Sequence, residues 1–316
     1  MSAEAACRKL VKEFRARPTL RSGPLITTVF GDAIAPRGGT VWLGSLIEVM
    51  ADFGVSERLV RTSVFRLAKD GWLQSDQIGR RSYYRLTDQG RERFEQATHR
   101  IYGTPVSDWD GEWCLLLLSS LDTESKDSVR KECGWLGFGP MSANVLAHPS
   151  PDLAELDVTI KRLGVHDKLV VMRGRTIRSE AAMRALTRSC WSLDDIDASY
   201  RAFADGFRPL MKALSGGSEL TEKSSFLVRT LLIQEYRKVL LRDPWLPAAL
   251  LPAHWHGTAA YQLCRNVYRR VHAAADAYLD DTIQTADGPL PPPNPSFTQR
   301  FGGLSPSTSK EQAVNE

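Results

Sequence analysis

The stretch "VSERLVRTSVFRLAKDGWLQSDQIGRRSYYRLT", residues 55–87, combines a helix pattern with a basic turn. Ser56 is a good N-cap residue, and Glu57 suits the positive end of a helix. The apolar residues that follow at i, i+4 and i+7 are Val60, Val64 and Leu67. This spacing places them on one buried face, so the pattern predicts an amphipathic helix that begins near residue 57.

The second half of the stretch predicts a β-hairpin. Gly71 is typical of the residue that follows a helix. The segments "WLQSDQ" and "SYYRLT" flank Gly79, and their Tyr and Thr content favours strands. This arrangement places Arg80 and Arg81 at the hairpin tip.

The helix carries cations opposite its apolar stripe. On a helical wheel, Arg58, Thr62, Arg66 and Lys69 lie opposite the stripe and Arg61 lies on its flank. Such a face is often only solvated. However, the upstream segment "TVWLGSLIEVMADFG" predicts a second short helix, joined to the first by a turn that contains Gly54. Two helices across a short turn, followed by a basic hairpin, form the layout of a winged helix-turn-helix.

This layout predicts a DNA contact surface. The second helix would enter the major groove, and the hairpin arginines would reach phosphates or the minor groove. The predicted DNA-binding residues are Ser56, Arg58, Arg61, Thr62, Arg66, Lys69, Arg80, Arg81 and Ser82.

Composition agrees with a multidomain DNA-binding protein. The chain has 316 residues, enough for two or three domains, and a net charge of +4. Residues 1–100 contain 17 Lys and Arg against 11 Asp and Glu, whereas the remainder contains 24 against 26. The positive excess therefore coincides with the predicted DNA-binding region.

Several function classes lack sequence support. No apolar run approaches the roughly 18–20 residues needed to span a bilayer, and the N-terminus has no signal-peptide pattern. Five scattered cysteines fit a reducing cytoplasm and argue against disulfides or a zinc site. There is no P-loop, G-x-S-x-G or H-E-x-x-H motif, so no enzyme or cofactor motif supports catalysis.

The rest of the chain predicts two further domains, and the fold class is α+β. After a winged-helix domain at 20–103, residues 104–190 alternate as β-α-β-α-β, the order of a split-βαβ, ferredoxin-like domain. Residues 191–284 predict a helical domain. The Pro/Ser/Gly-rich residues 285–316 predict a disordered tail.

The sequence resembles the PaaX-type family, repressors of phenylacetic acid degradation. The motifs that carry this resemblance are "SERLVRTSVFRLAKDGWL", "GRRSYYRLTDQG", "DWDGEWCLLLL", "LGFGPMSANVLAHP" and "DPWLPAALLPAHWHG". The resemblance implies a cytoplasmic, homodimeric transcriptional regulator, usually a repressor, that binds operator DNA. It also implies that an aryl-acyl-CoA effector, such as phenylacetyl-CoA, releases the DNA, and that the helical domain at 191–284 serves effector binding and dimerisation.

Three alternatives stay open from the residues. The middle domain also resembles the small ferredoxin-like nuclease subunit of CRISPR systems, in which an Asp after the first strand can bind a metal. Asp122 follows that strand here, so a metal-dependent nuclease is the alternative function. The histidines of "HWH", residues 254–256, are a weaker metal candidate. Arg173, Arg175 and Arg178 form a solvated edge, a site for the phosphates of a nucleotide-containing effector, or a site for the DNA backbone.

Overall fold

Helices and strands both contribute to this chain, in agreement with the predicted α+β class. The computed structural model describes residues 1–17, 22–103, 109–177 and 180–304. The chain divides into two compact units. The first contains Met1–Thr104, Phe203–Arg237 and Ala259–Glu316, and the second contains Pro105–Ala202 and Lys238–Thr258.

The N-terminal part of the first unit combines helices with a small sheet. In chain order its elements are α1 (Ala3–Arg15), α2 (Ser22–Val29), β1 (Thr40–Trp42), α3 (Leu43–Ala51), α4 (Glu57–Lys69), β2 (Leu73–Ile78), β3 (Arg81–Leu86) and α5 (Asp88–Tyr102). A π-helical turn over Phe30–Ile34 follows α2 directly. The predicted helix and hairpin over residues 57–86 are confirmed.

The sheet of the first unit has the order β1-β3-β2 and is antiparallel. In the hairpin, Ile78 pairs with Arg81 across a two-residue turn. Gly79 takes a φ of 61° in this turn, a conformation that costs glycine little. The sheet also contains β1, which the sequence analysis did not predict, and Trp42 in β1 pairs with Tyr83.

The second unit is built on a four-stranded sheet. Its elements are β4 (Glu112–Leu117), α6 (Thr123–Trp135), β5 (Gly139–Ser142), β6 (Val145–His148), α7 (Leu153–Arg162), β7 (Val170–Arg175) and α8 (Glu180–Trp191). The strand order is β5-β6-β4-β7, with antiparallel neighbours. The element order is thus β-α-β-β-α-β, one strand more than predicted. The strand not predicted is β5, whose "GPMS" has little β-propensity.

Three long helices follow and contribute to both units. They are α9 (Leu193–Ser215), α10 (Glu222–Leu240) and α11 (Gly257–Thr282). The compact units therefore differ from the predicted separate helical domain at 191–284. In the first unit, Phe226 of α10 contacts Phe53 with ring centroids 5.8 Å apart, and Gln234 accepts a 2.6 Å hydrogen bond from Thr28. These two contacts join the N-terminal elements to α10 within one unit.

The prediction of disorder from residue 285 is wrong for residues 285–304. This segment contains β8 (Gln284–Thr285), β9 (Gly288–Pro289) and α12 (Pro295–Thr298). Its buried apolar side chains are Leu290, Phe297, Phe301 and Leu304. These apolar residues stand singly among prolines and glycines. The composition of the segment therefore predicted disorder and not their burial. Residues 305–316 lie outside the described residues.

A charged cluster lies in the core of the first unit. Asp32, from the π-helical turn, is 3% exposed. Its carboxylate accepts hydrogen bonds from Arg229 at 2.6 Å, Arg300 at 3.0 Å, Tyr102 at 2.6 Å and Tyr268 at 2.8 Å. Burial alone would raise the pKa of Asp32, but the two guanidinium groups outweigh it and lower that pKa.

Candidate nucleic-acid interface

The inner face of α4 holds this helix against the rest of the first unit. Val60, Ser63 and Val64 are buried. The Ser63 hydroxyl lies 2.8 Å from that of Ser22 in α2. Between α3 and α4, Gly54 takes a φ of 79°, which closes the turn. The predicted apolar stripe is thus largely confirmed, with Leu67 only half-buried.

The opposite side of α4 is exposed, and we call it the outer face. Its residues are Arg58, Arg61, Thr62, Phe65, Arg66 and Lys69. At about 100° per residue, Arg58, Thr62, Phe65 and Lys69 share a sector of about 60°. The structure therefore brings five of the predicted DNA-binding residues together on one solvent-facing surface, which also includes Phe65.

The cations of the outer face differ in their partners. Arg61 forms a salt bridge with Glu57 at 2.7 Å, one helical turn earlier. The Thr62 hydroxyl donates to the backbone carbonyl of Arg58 at 2.8 Å, so its proton is already used. Within the described part of the chain, Arg58, Arg66 and Lys69 form no salt bridge, so their charges are free to pair with phosphates.

Ser56 occupies the N-cap position but does not cap the helix with its side chain. Its backbone is extended, with φ −69° and ψ 153°, and its hydroxyl makes no capping hydrogen bond. The side-chain cap expected from the sequence is therefore wrong. The exposed hydroxyl stands instead beside the positive end of α4, where first-turn N–H groups favour anions.

The hairpin presents two arginines in different environments. Arg80 is exposed at the tip and forms no salt bridge among the described residues. The Arg81 guanidinium lies 4.5 Å from the ring centroid of Trp42, a cation–π contact that orients it. Ser82 follows Arg81 on β3 and is half-buried. Arg85, farther along the strand, pairs with Asp76 at 2.7 Å.

The sequence analysis missed two residues of this surface, Phe65 and Trp42. Phe65 is 66% exposed, and its place on the wheel beside Arg58 was available from spacing alone. Trp42 had no such signal, because its contact with Arg81 depends on the pairing of β1 with β3.

The predicted effector edge lies on β7 of the second unit. Arg173 and Arg175 are both exposed and approach Glu112 at 3.6 and 3.4 Å. One carboxylate thus offsets two guanidinium groups. Arg178 lies outside the described residues.

A cavity of about 370 Å³ in the first unit is a second place for a small ligand. Its wall includes Arg91, Phe94 and His99 of α5, together with Asn294 and Arg300. The volume is within the usual range for ligand pockets, and the wall combines an aromatic ring with cationic groups.

The residues proposed for a nuclease or metal site have structural roles. Asp122 is the N-cap of α6, and its carboxylate accepts from the Ser125 backbone at 2.8 Å. The imidazole of His256 lies 2.8 Å from the Asp197 carboxylate. Among the described residues, no group of three or more His, Cys, Asp and Glu side chains is placed to hold a metal ion.

The cysteines and the long helices are structural as well. All five cysteines are free thiols. Burial, and then the charge of Glu132, raises the pKa of Cys133 to about 12, so this thiol stays protonated. No helix in the described ranges has the length and apolar character of a bilayer span.

Comparison with known proteins finds relatives along most of the chain. Residues 21–90 match the family described as PaaX-like protein, 106–186 match the PaaX protein central Cas2-like domain, and 191–281 match the PaaX-like protein C-terminal domain. Among solved structures, the uncharacterized protein Rv0674 from Mycobacterium tuberculosis is 23% identical and has a TM-score of 0.47. The match covers 73% of this chain and 90% of that one.

A curated relative is much more similar in sequence. The transcriptional repressor PaaX of Escherichia coli (strain K12) is 42% identical over 283 residues, which are 89% of this chain and 90% of that protein. The match extends across the outer face of α4, the second unit and the long helices, and it agrees with the three matched ranges above. The chain therefore belongs to the PaaX family.

Proposed function

We propose that this protein is a transcriptional repressor that binds double-stranded operator DNA through α4 and the β2–β3 hairpin. The observation that carries the proposal is the outer face of α4, where free cations stand on a helix whose opposite side is buried. The relative named a transcriptional repressor supports it. On this reading, α3, α4 and the β1–β3 sheet form a winged helix-turn-helix, and the β4–β7 sheet with α6 and α7 is ferredoxin-like.

The residues divide between base reading and phosphate binding. Residues near the start of a recognition helix reach base edges, so Arg61 and Thr62 read sequence. Arg58, Arg66 and Lys69 flank them and contact the backbone, and Ser56 places a hydroxyl and the helix end against a phosphate. Arg80, Arg81 and Ser82 extend the contact through the hairpin.

The base-reading assignment is tested with the full-length protein. Duplexes selected from a random-sequence library supply the specific site, and unselected duplexes supply the reference. Arg61→Ala and Thr62→Ala are expected to weaken specific binding by about 1–3 kcal/mol each and to relax base preference. Arg208→Ala on α9, which removes an equally exposed cation, serves as the matched control. Wild-type discrimination in both α4 variants would overturn the assignment.

The hairpin assignment is tested by salt dependence. Arg80→Ala is expected to weaken binding to selected and unselected duplexes alike and to reduce the slope of log K against log salt by about 0.9. Arg85→Ala on the same hairpin is the control, because Asp76 already neutralises that guanidinium. Equal slopes for Arg80→Ala and the wild type would place the hairpin away from DNA.

We also propose that an aryl-acyl-CoA such as phenylacetyl-CoA releases a homodimer from the operator of an aromatic catabolic operon. A ligand releases DNA only if it binds the DNA-free conformation better than the bound one. The two DNA-binding surfaces of a dimer must contact half-sites about 34–36 Å apart. A small reorientation of one surface therefore breaks simultaneous contact. Arg173 and Arg175 supply cations for the CoA phosphates, with Arg178 as a further expected contributor.

The effector proposal is tested by calorimetry and sedimentation of the full-length protein. Phenylacetyl-CoA is expected to bind and to shift the duplex from bound to free, whereas CoA alone does neither. Arg173→Ala with Arg175→Ala should weaken binding more than Arg162→Ala, an exposed arginine of the same unit that pairs with Glu132. A loss on Arg91→Ala instead would place the ligand in the cavity beside α5. A monomer at all concentrations, or no binding, would contradict this part of the proposal.

The sign of regulation is tested with a reporter gene that carries the selected duplex in its promoter. Repression is expected in the presence of the protein, and addition of the aromatic acid that yields the thioester should relieve it. Increased expression would identify an activator.

A further inference from the structure

Phe65 differs from every other phenylalanine of this protein. The chain contains 11 phenylalanines. Ten are buried, with exposed fractions of 8% or less, whereas Phe65 is 66% exposed. Single exposed apolar residues are common on protein surfaces, so the surroundings of this ring decide whether it has a function.

Those surroundings are cationic and point to a polyanion. Phe65 shares the 60° sector of the outer face with Arg58, Thr62 and Lys69, and Arg66 follows it directly. Its ring makes no close contact with any described aromatic or cationic side chain. The acid of this helix end, Glu57, already pairs with Arg61. A protein surface docked here would have to neutralise several free cations, which duplex DNA does through its phosphates.

The floor of the major groove offers an apolar group for such a ring. Each thymine presents a 5-methyl group there, and contact with an apolar side chain is one way in which proteins recognise that base. We propose that Phe65 is a specificity-determining residue that contacts the 5-methyl group of a thymine in the operator, while the surrounding cations bind phosphates. This inference rests on the proposed DNA-binding function and adds a base preference to it.

The helix geometry places the expected thymine. Phe65 stands three residues beyond Thr62, a rise of about 4.5 Å along α4. This distance corresponds to about one to two base pairs along the duplex. The thymine is therefore expected next to the bases that Arg61 and Thr62 read, and not at the far edge of the site.

The test removes single methyl groups from the DNA. A duplex that the full-length protein selects from a random-sequence library is synthesised with each thymine in turn replaced by uracil, which keeps base pairing. The wild type is expected to bind about three- to five-fold more weakly at one or two of these replacements. Phe65→Ala should bind the thymine and uracil duplexes equally at those positions, and Phe65→Leu should retain part of the difference.

Leu59→Ala is the matched control. Leu59 is also an exposed apolar residue of α4, at 41%, but it lies about 120° away from Phe65 around the helix. This variant should keep the wild-type ratio between thymine and uracil duplexes. Circular dichroism and thermal melting of each variant confirm that the fold is retained before ratios are compared.

The outcomes separate this inference from the proposed function. If the wild type selects no duplex, the proposed DNA-binding function fails. If it selects one but no thymine-to-uracil change weakens binding, or if Phe65→Ala keeps the same ratio, DNA binding stands and the role of Phe65 is overturned. A Phe65→Ala variant that changes only the oligomeric state, with the ratio intact, would assign the ring to a protein interface instead.

Discussion

Arg61 and Glu57 form an exposed salt bridge at the start of α4, so this arginine has a partner before DNA arrives. Both side chains are more than half exposed, and such a pair contributes little to stability. Arg61 must leave Glu57 to reach a base or a phosphate. If α4 binds DNA as proposed, the carboxylate competes with DNA for Arg61 and weakens binding to any duplex.

Glu57→Gln is expected to raise affinity for unselected duplex DNA about two- to five-fold, since it removes the competing charge of an exposed pair. Fluorescence anisotropy with a labelled random-sequence duplex measures this change. Glu13→Gln is the matched control, because Glu13 pairs with Lys9 at the same i, i+4 spacing on α1. Equal changes in the two variants would show that only net charge matters.

His272 gives the first unit a pH dependence. Its imidazole stacks on Tyr268 in the core. Burial, and then the nearby charge of Arg229, lowers its pKa, although Asp276 and Asp32 oppose this shift. Because the unfolded chain binds the proton more readily, the stability that the neutral imidazole supports is present above about pH 6.5. It is lost as the pH falls from there towards the folded-state pKa.

Urea denaturation at pH 7.5 and at pH 5.5 checks this expectation. The wild type should lose more free energy of unfolding on acidification than His272→Gln, which cannot take up the proton. His254→Gln, at an exposed histidine, should behave like the wild type. The same loss in all three proteins would assign the pH dependence to other groups.

At the scale of elements, residues 288–304 pack into the core of the first unit. Arg300 is 3% exposed and donates to the Asp32 carboxylate at 3.0 Å and to the Tyr268 hydroxyl at 2.7 Å. Phe297 and Phe301 are buried beside it. The segment thus delivers one member of a buried charge cluster from the far end of the chain.

Arg300→Met is expected to lower the free energy of unfolding by about 3–5 kcal/mol, because Asp32 and Asp276 would then face Arg229 alone. Equilibrium unfolding in urea measures the change. Arg208→Ala, an exposed arginine, should change stability by no more than about 0.5 kcal/mol. A loss of less than about 1 kcal/mol would show that the buried Arg300–Asp32 pair contributes little to stability. The double variant Arg300→Met/Asp32→Asn should lose less free energy of unfolding than the sum of the losses in the two single variants.

At the scale of the whole molecule, the elements proposed to contact DNA depend on helices from the far half of the sequence. Thr28 donates a hydrogen bond to Gln234, and Asp32 forms a salt bridge with Arg229. Phe53 packs against Phe226. The sequence suggested a self-contained domain at 20–103, which a truncation after residue 103 would release as a folded fragment. In the structure, however, the cations that contact Asp32 are Arg229 and Arg300, so this truncation would leave Asp32 without them.

A fragment of residues 1–103 is therefore expected to lack a cooperative thermal transition, while the full-length protein unfolds cooperatively. Circular dichroism at 222 nm during heating, with near-ultraviolet dichroism as a probe of packing, distinguishes the two. A sharp transition in the fragment would show that the N-terminal elements close their own core.

The local parts of the interface could be predicted from the sequence alone. Neighbouring residues determine whether a helix or a hairpin forms, so the periodicity around Val60 and Val64 and the turn at Gly79 indicated α4 and its hairpin. The wheel also placed Arg58, Thr62 and Lys69 together. Phe65 lies beside them on the same wheel, so its spacing alone indicates that it faces away from the buried stripe.

Tertiary structure decided the features that depend on contacts distant in sequence. The pairing of β1 with β3 sets Trp42 against Arg81, and no local pattern encodes that pairing. Arg300 and Asp32 are 268 residues apart, and prolines around Arg300 suggested disorder. Burial depends on which surfaces meet after the chain folds, whereas periodicity reports only which face of an element is apolar. The sequence thus determined the elements proposed to contact DNA, and the tertiary structure determined what supports them.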